Sequence, residues 1–273
     1  MDKIRIMGLM TCFNRKEKTI LSIHNLMDKN NNVQFDFCIA DDNSTDGTKE
    51  ALKKFENITV LNGNGNLYYS GGMRLVMEYV LEKDSKYDYC LLFNDDVEFL
   101  DNVIDKMIDI SNNDKIIVGP TCDLEGKLSY GGIIKKSRLR PNFKIVDGNC
   151  KEGMKCDTFN ANCVLIPWHI FEKLGTIDKK YSHSLGDFDY GFSASRMGYQ
   201  IQVCDFYVGV CCDNDIKGSW RDTTLKRKIR LIKKESPKGL PRKEWWHYLR
   251  KNYSIMTACI FSITPYVKIL LKK

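Results

Sequence analysis

Proline is scarce in this chain, 6 in 273 residues, and with 19 scattered glycines it leaves no room for a long disordered linker. Long apolar runs are missing too. A membrane-spanning helix needs about 20 apolar residues. The nearest approach, "YSIMTACIFSITPYVKILLKK", is apolar only from Ile255 to Ile263 and then meets Pro265. It reads either as an interfacial segment or as a helix covering the core. No Cys-x-x-Cys pair occurs, which argues against a structural zinc site. The 11 cysteines are odd in number, and Cys38, Cys90, Cys163 and Cys204 lie in apolar strand-like runs. They read as free buried thiols of a reducing compartment. "MDKIRIMGLMTCFNR" begins strand-like without a cleavage site, so a cytoplasmic protein is expected. Internal repeats, low-complexity tracts and RNA-binding signatures are absent, so nucleic acid is not an expected partner.

What is present begins with a division of charge. Residues 217–273 hold 16 Lys and Arg against 3 Asp and Glu, a net +13, which leaves −6 on the rest of a chain whose total is +7. An acidic body with a basic tail suits an anionic surface such as membrane lipid or a lipid-linked phosphate. Trp245, Trp246 and Tyr248 sit within the tail, and indoles favour membrane interfaces, so peripheral contact at the inner face of a membrane is expected. The tail could equally pack on a second subunit.

Up to residue 100, apolar strand-like runs alternate four times with segments of helical periodicity, which predicts an α/β fold with a mostly parallel central sheet. Thr45 or Asp46 is a plausible cap for the helix in "DGTKEALKKFEN". Residues 101–215 mix short strands, turns and helices. The expected organisation is a body at 1–215, split into a nucleotide-binding half (1–100) and an acceptor-binding half (101–215), followed by a basic, aromatic helical extension at 216–273.

Ligands of open α/β sheets bind at the carboxyl ends of the strands. Three polar clusters fall there: Thr11–Arg15, Asp41–Asp46 and Asn94–Asp96. An Asx-turn accounts for Ser44 to Gly47 but does not require Asp41 and Asp42, whose charges repel. Adjacent carboxylates at Asp95 and Asp96 suit Mg²⁺ or Mn²⁺ bridging to a substrate diphosphate, and equally a solvated helix cap. "NGNGNLYYSGGMR" places Gly71 at a helix entry where phosphate can approach, yet has neither the Walker nor the dinucleotide spacing. Arg74 either faces the diphosphate or is an exposed helix residue. In "HSLGDFDYGFSASRMGY" a helix starting near Gly186 puts Asp187 and Asp189 on its first turn. Asp187 is the candidate general base, and Asp189 suits capping with Arg196 as partner.

From residue 4 to about 212 these segments resemble family-2 glycosyltransferases of GT-A fold. "TCFNR" looks like the family's first-strand motif, "ADDNSTDGT" matches its V-D-D-x-S-x-D-G-T closely, "FNDDV" stands at its D-x-D metal motif, and "GDFDYGFSASRMGY" looks like its base-bearing segment. "SPKGLPRKEWWHYLRKNY" is similar to the tail of bacterial rhamnosyl- and hexosyltransferases of surface polysaccharide synthesis. The resemblance implies an inverting transferase that uses a nucleotide-diphosphate sugar, dTDP- or UDP-linked, a divalent Mn²⁺ or Mg²⁺, and a lipid-linked glycan acceptor. It places Thr11, Cys12, Asn14, Arg15, Asp42, Asn43, Gly71, Arg74, Asn94 and Asp95 around the nucleotide. Asp96 and Asp213 fall at the metal, Asp187 is the base, and Asn162, Trp168, His183 and Asp189 are expected near the acceptor or donor sugar.

Departures from the pattern are specific. Asn94 stands where the metal motif often has Asp, Gly186 where the base motif often has Glu, and "VCCDND" offers Cys212, Asp213 and Asn214 where many members have a metal-binding His. Two competing readings remain: a non-catalytic nucleotide-sugar-binding scaffold, and a sugar nucleotidyltransferase, against which the glycine-free first loop "TCFNRKEKT" counts.

Overall fold

A computed structural model describes residues 3–83, 85–146, 154–212 and 215–271. The first half runs β1 (Ile4–Cys12), α1 (Lys16–Asp28), β2 (Val33–Asp41), α2 (Thr48–Leu52), β3 (Ile58–Asn62), α3 (Tyr68–Leu81) and β4 (Tyr89–Phe93). Next come β5 (Glu98–Phe99), α4 (Val103–Ser111), β6 (Ile116–Val118), β7 (Thr121–Cys122), β8 (Leu128–Tyr130), β9 (Gly132–Lys135), β10 (Phe143–Ile145) and β11 (Thr158–Phe159). The chain then forms β12 (Cys163–Pro167), α5 (Trp168–Leu174), α6 (Gly186–Arg196), β13 (Ile201–Val203) and β14 (Gly209–Val210), and finishes in α7 (Arg227–Glu235), α8 (Arg242–Asn252) and α9 (Ile255–Leu270).

Seven strands make the central sheet in the order β13-β6-β12-β4-β1-β2-β3. Strands β1 to β4 pair in parallel, and β12 alone runs against its neighbours β4 and β6. All five residues of β4 are buried, as expected of a strand covered on both faces. One face packs on Met73, Val76 and Met77 of α3 and on Phe171 of α5; the other packs on Ile23 and Leu26 of α1 and on Ile104 and Met107 of α4. Two smaller sheets, β10-β9-β11 and β5-β14-β7-β8, carry the second half.

The turn after β2 differs in detail from its sequence reading. The N-cap of α2 is Gly47, at φ 83°, rather than Thr45 or Asp46. Asp46 still serves the helix start, because its carboxylate accepts from the Thr48 N–H at 3.1 Å and from the Lys16 N–H at 2.9 Å. One side chain thereby ties the entries of α1 and α2 together, which fixes the two loops flanking the strand ends.

The tail folds onto the body. Trp245, Tyr248 and Leu249 of α8 and Ala258 of α9 share a buried cluster with Tyr181 and with Phe192 of α6. Helix α9 continues through Pro265 instead of stopping there. A proline inside a helix frees the carbonyl four residues earlier. Here that carbonyl, on Phe261, accepts the Trp245 indole N–H at 2.9 Å and the Thr264 hydroxyl at 2.9 Å. No helix among the described residues is long and apolar enough to cross a membrane.

Candidate active site

The exits of β1, β2 and β4 lie side by side, since β1 pairs with both others. Thr11, at the end of β1, donates its hydroxyl to the Ala40 carbonyl of β2 at 3.2 Å. Helix α3 approaches it so closely that a Cβ on Gly72 would stand 2.2 Å from Thr11 Oγ1. Only glycine lets this helix sit against the strand end. Cys12 is buried beside Asp41, and burial together with that neighbouring carboxylate raises its thiol well above the ordinary range, so it is an inert core thiol. Asn14 takes a left-handed backbone at φ 50° and pins the loop after β2: its N–H donates to Ser44 Oγ at 2.9 Å, and its side-chain oxygen accepts from the Thr45 N–H at 2.7 Å. Asn43, also left-handed at φ 65°, is exposed at the same rim.

Asp42 is buried and faces the segment leading into α3. Its Oδ1 accepts from the Gly65 N–H at 2.8 Å, and its Oδ2 accepts from the N–H groups of Leu67 and Tyr68 at 3.0 and 3.1 Å. Three backbone donors hold this carboxylate, leaving one lone-pair direction on Oδ1 for a ligand. Gly71 belongs to the same cradle and donates its N–H to the Leu67 carbonyl at 3.1 Å. Arg74 is not free in solvent: its Nη1 donates to the carbonyls of Asp178 and Tyr181 at 3.2 and 3.4 Å, securing the loop before α6, while its Nη2 lies beside Gly71.

Beyond β4 the chain turns through Asn94, Asp95 and Asp96. The Asn94 N–H donates to the Asn162 carbonyl at 3.2 Å. Arg15 reaches both acids, with Nη1 at 3.0 Å from Asp95 Oδ1 and 3.0 Å from Asp96 Oδ2. Burial pushes the Asp95 carboxyl up to about 6, Arg15 draws it down and Asp96 raises it again. On the other side of Asp96, the Cys211 thiol lies 3.6 Å from Oδ1 and accepts from the Asn162 amide at 3.5 Å. The sequence pointed to Cys212 and Asp213 after β14. The structure brings Cys211 to the carboxylate, and Asp213 lies outside the described residues. The strand-end argument could have found Cys211, which directly follows β14.

Helix α6 delivers Asp187. A Cβ on Gly186 would come within 2.3 Å of Ser70 Oγ and 2.9 Å of Ile177 Cγ2, so the first turn of α6 abuts α3 with no space for a side chain. This contact accounts for glycine at a position where the resembled motif often has Glu. The Asp187 carboxylate accepts from its neighbour's N–H, Phe188, at 2.8 Å and from the Ala161 N–H at 3.4 Å. Burial raises it to about 6, against the pull of these N–H groups. Tyr69 lies beside it, partly buried and with its hydroxyl covered. Burial, and then the Asp187 charge, push its phenol well above the ordinary range, and its hydroxyl has no hydrogen-bond partner among the described residues. Sequence reasoning passed over Tyr69, because a tyrosine in an apolar helix carries no signal of its own.

His183 borders the same place. Its Nδ1 accepts from the Tyr69 N–H at 3.3 Å, and burial, with Lys238 nearby, lowers its ring to about 4, so it is neutral at neutral pH. Asp189 turns away. It is 2% exposed and pairs with Lys251 at 2.6 Å and with the Asn252 amide at 2.9 Å, while Arg196 stands at 3.9 Å. Asp189 therefore anchors α8 and does not face a sugar. Trp168 is also removed from the site. Because β12 runs against β4, its end at Pro167 lies opposite Tyr89, at the start of β4, and Trp168 packs on Tyr87 and Phe171 in the core. Asn162, just before the other end of β12, adjoins the acid pair through the Asn94 backbone and the Cys211 thiol, while its neighbour Ala161 bonds Asp187.

A continuous arc results: Arg15, Asp95, Asp96, Cys211, Asn162, Ala161, Asp187. The hard oxygens of Asp95 and Asp96 suit Mn²⁺ or Mg²⁺, which commonly take one or two protein carboxylates and complete their shell with substrate phosphates and water. No group of three or more His, Cys, Asp or Glu able to hold a metal occurs among the described residues, so substrate oxygens would have to supply the rest.

The sequence pattern described as "Glycosyl transferase family 2" matches residues 9–162, just over half of the chain. The chain belongs to that family. Two solved structures share the fold. A mannosyltransferase, PcManGT, from Pyrobaculum calidifontis, in complex with GDP-Man and Mn²⁺, is 12% identical with TM-score 0.55, over 99% of this chain and 74% of its own. TarS 1–349 from S. aureus is 12% identical with TM-score 0.57, over 97% of this chain and 81% of its own. No curated protein matches the chain. The architecture of this family-2 glycosyltransferase is the GT-A fold: a mostly parallel sheet between helices, with a helical C-terminus. The family match ends before α6, so the role of Asp187 rests on its geometry.

Proposed function

We propose that this chain is an inverting transferase that moves a sugar from a nucleoside-diphosphate sugar to an acceptor hydroxyl, with Asp187 as base. The observation that carries the reading is a carboxylate raised to about 6, hydrogen-bonded to Ala161, whose neighbour Asn162 adjoins the Asp95–Asp96 pair through Asn94 and Cys211. A base near neutrality is matched to taking a proton from a hydroxyl. The acceptor oxygen attacks the anomeric carbon as its proton passes to Asp187. The bond from that carbon to the diphosphate oxygen breaks, and the nucleoside diphosphate leaves with the electron pair from the opposite face. Asp42 and the rim of Thr11, Asn14 and Asn43 surround the nucleoside, Asp95 and Arg15 lie at the ribose and diphosphate, and Asp96 is the residue to hold the cation. Bound Mn²⁺ or Mg²⁺ would offset charge gathering on the leaving diphosphate.

The reading extends to a dTDP- or UDP-sugar and a lipid-linked glycan of surface polysaccharide as acceptor, with residues 1–215 as the catalytic unit and the remainder as an accessory to it. The complexes named above include one with GDP-Man, so GDP-sugars belong in the same test. A panel of UDP-, GDP- and dTDP-sugars, scored for thermal shift and for nucleoside diphosphate release with and without Mn²⁺ or Mg²⁺, decides it. Stabilisation by one donor, with turnover lost in Asp187→Asn, is the expected result. A chain stabilised by no donor sinks the reading, and one that binds a donor but turns over equally well as Asp187→Asn sinks the role of the base.

A further inference from the structure

Of the three aromatic residues that made the tail look membrane-active, two turn inward, Trp245 at 8% exposed and Tyr248 fully buried, while Trp246 is 39% exposed. The apolar surface lies one helix further on. Met256, Ile260, Ile263, Val267 and Leu270 of α9 are exposed by 43% to 72%, and Cys259 is exposed among them. At 100° per residue these six fall within about a third of the helix circumference, with no charged side chain between them. The opposite face, with Ala258, Pro265 and Ile269, is buried against the protein. Lys268 flanks the stripe, and α7, which holds α9 through Lys234 against the Tyr266 ring, exposes Arg227, Lys228 and Lys233.

We infer that this face of α9 inserts into an anionic lipid surface, with the basic residues of α7 and α9 binding the headgroups. Charge selects this occupant over a second copy, because self-association would bring together two segments of net +13. Size agrees with the choice. A stripe on a 16-residue helix is about 24 Å long and covers a few hundred Å², short of the roughly 800 Å² that each partner gives to a standard protein interface. An apolar helical stripe bordered by Lys and Arg is the arrangement that lies in the plane of a bilayer interface. The inference uses only the tail surface and is independent of the sugar donor.

Co-sedimentation of the full chain with vesicles tests it. Binding is expected to vesicles of phosphatidylcholine with phosphatidylglycerol, with little binding to phosphatidylcholine alone and loss at high salt. Ile263→Asp should weaken binding about tenfold or more. Lys228→Glu with Lys233→Glu should weaken it comparably and flatten the salt dependence, and these exposed positions leave the fold intact. Three results would overturn the inference: no retention on either vesicle, retention unchanged in both variants, or a dimer in light scattering that Ile263→Asp converts to monomer, which would assign the face to a second copy.

Discussion

A single guanidinium nitrogen of Arg15 lies 3.0 Å from carboxylate oxygens of both Asp95 and Asp96. Without it, two adjacent acids, one of them buried, would repel at the exit of an apolar strand. Arg15 is half exposed, so the stabilisation is modest, about 1 kcal/mol. It also stands where a cation would be drawn. Arg15→Ala should therefore lower the melting temperature in chelator by about 2–4 °C. Mn²⁺ should then raise it by more in the variant than in the parent chain, because the pair has lost the cation that bridges both acids and Lys18 acts only weakly on Asp95. Equal thermal shifts with and without Mn²⁺ in both proteins would show that the two acids are not a cation site.

Asp187 joins activity to instability. Its carboxyl sits at about 6 rather than 3.8 because burial disfavours the charged form. The folded chain thus holds an extra proton between those values. That contribution is fully present below 3.8 and is lost as pH rises through about 6. Asp187→Asn removes the buried charge and should stabilise the fold at neutral pH, by about 1–3 kcal/mol. Turnover should fall by about 10² or more, and the parent chain should lose rate on an acid limb near pH 6. Calorimetry and a pH–rate profile read both effects. A variant that is less stable, or a limb unmoved by the substitution, would count against Asp187 as a buried base.

The alternation of strands and helices, and the gathering of polar clusters at strand exits, were legible because burial period and turn chemistry are local properties. Asp187 on a first helical turn was legible for the same reason. Trp168 and Asp189 were misplaced because their surroundings depend on tertiary pairing. The reversed direction of β12 takes Trp168 to the far end of β4, and the partners of Asp189 lie 62 and 63 residues away. Arg74 also required a long-range fact, since the carbonyls it holds are more than 100 residues distant. The passage of α9 through Pro265 depended on an indole from α8 that no local pattern could supply.

Gly186 offers a test of how α6 is seated. Gly186→Glu, which restores the residue that the resembled motif often carries, would force a side chain into the 2.3 Å approach of Ser70 Oγ. The first turn of α6 must then move away from α3, at a cost of about 1–3 kcal/mol for overpacking. Asp187 moves with it, so turnover should fall further than stability alone explains, with donor-induced thermal shift retained because the nucleotide rim lies on other elements. An active, equally stable variant would mean that the α3–α6 contact is not a constraint.

The tail reaches the catalytic helix through Lys251, whose ammonium lies 2.6 Å from Asp189 and 3.0 Å from Asp178. Glu244, on the same helix α8, accepts from the Ser182 hydroxyl at 2.6 Å and from its N–H at 3.2 Å, holding the loop that carries His183. Asp189 is two residues from Asp187, so α8 bears on the position of the base. Lys251→Met leaves Asp189 buried with its nearest cation removed and should destabilise the chain by about 3 kcal/mol. Asp189→Asn alone should also cost stability, through Lys251. The double variant removes both charges and should be more stable than the sum of the single losses predicts, which a double-mutant cycle by chemical denaturation would measure. Turnover should follow the same non-additive pattern, because the seating of α6 on α8 is what the pair provides. Strictly additive losses in stability would sink the anchoring role, and additive stability with unchanged turnover would separate the tail from the chemistry altogether.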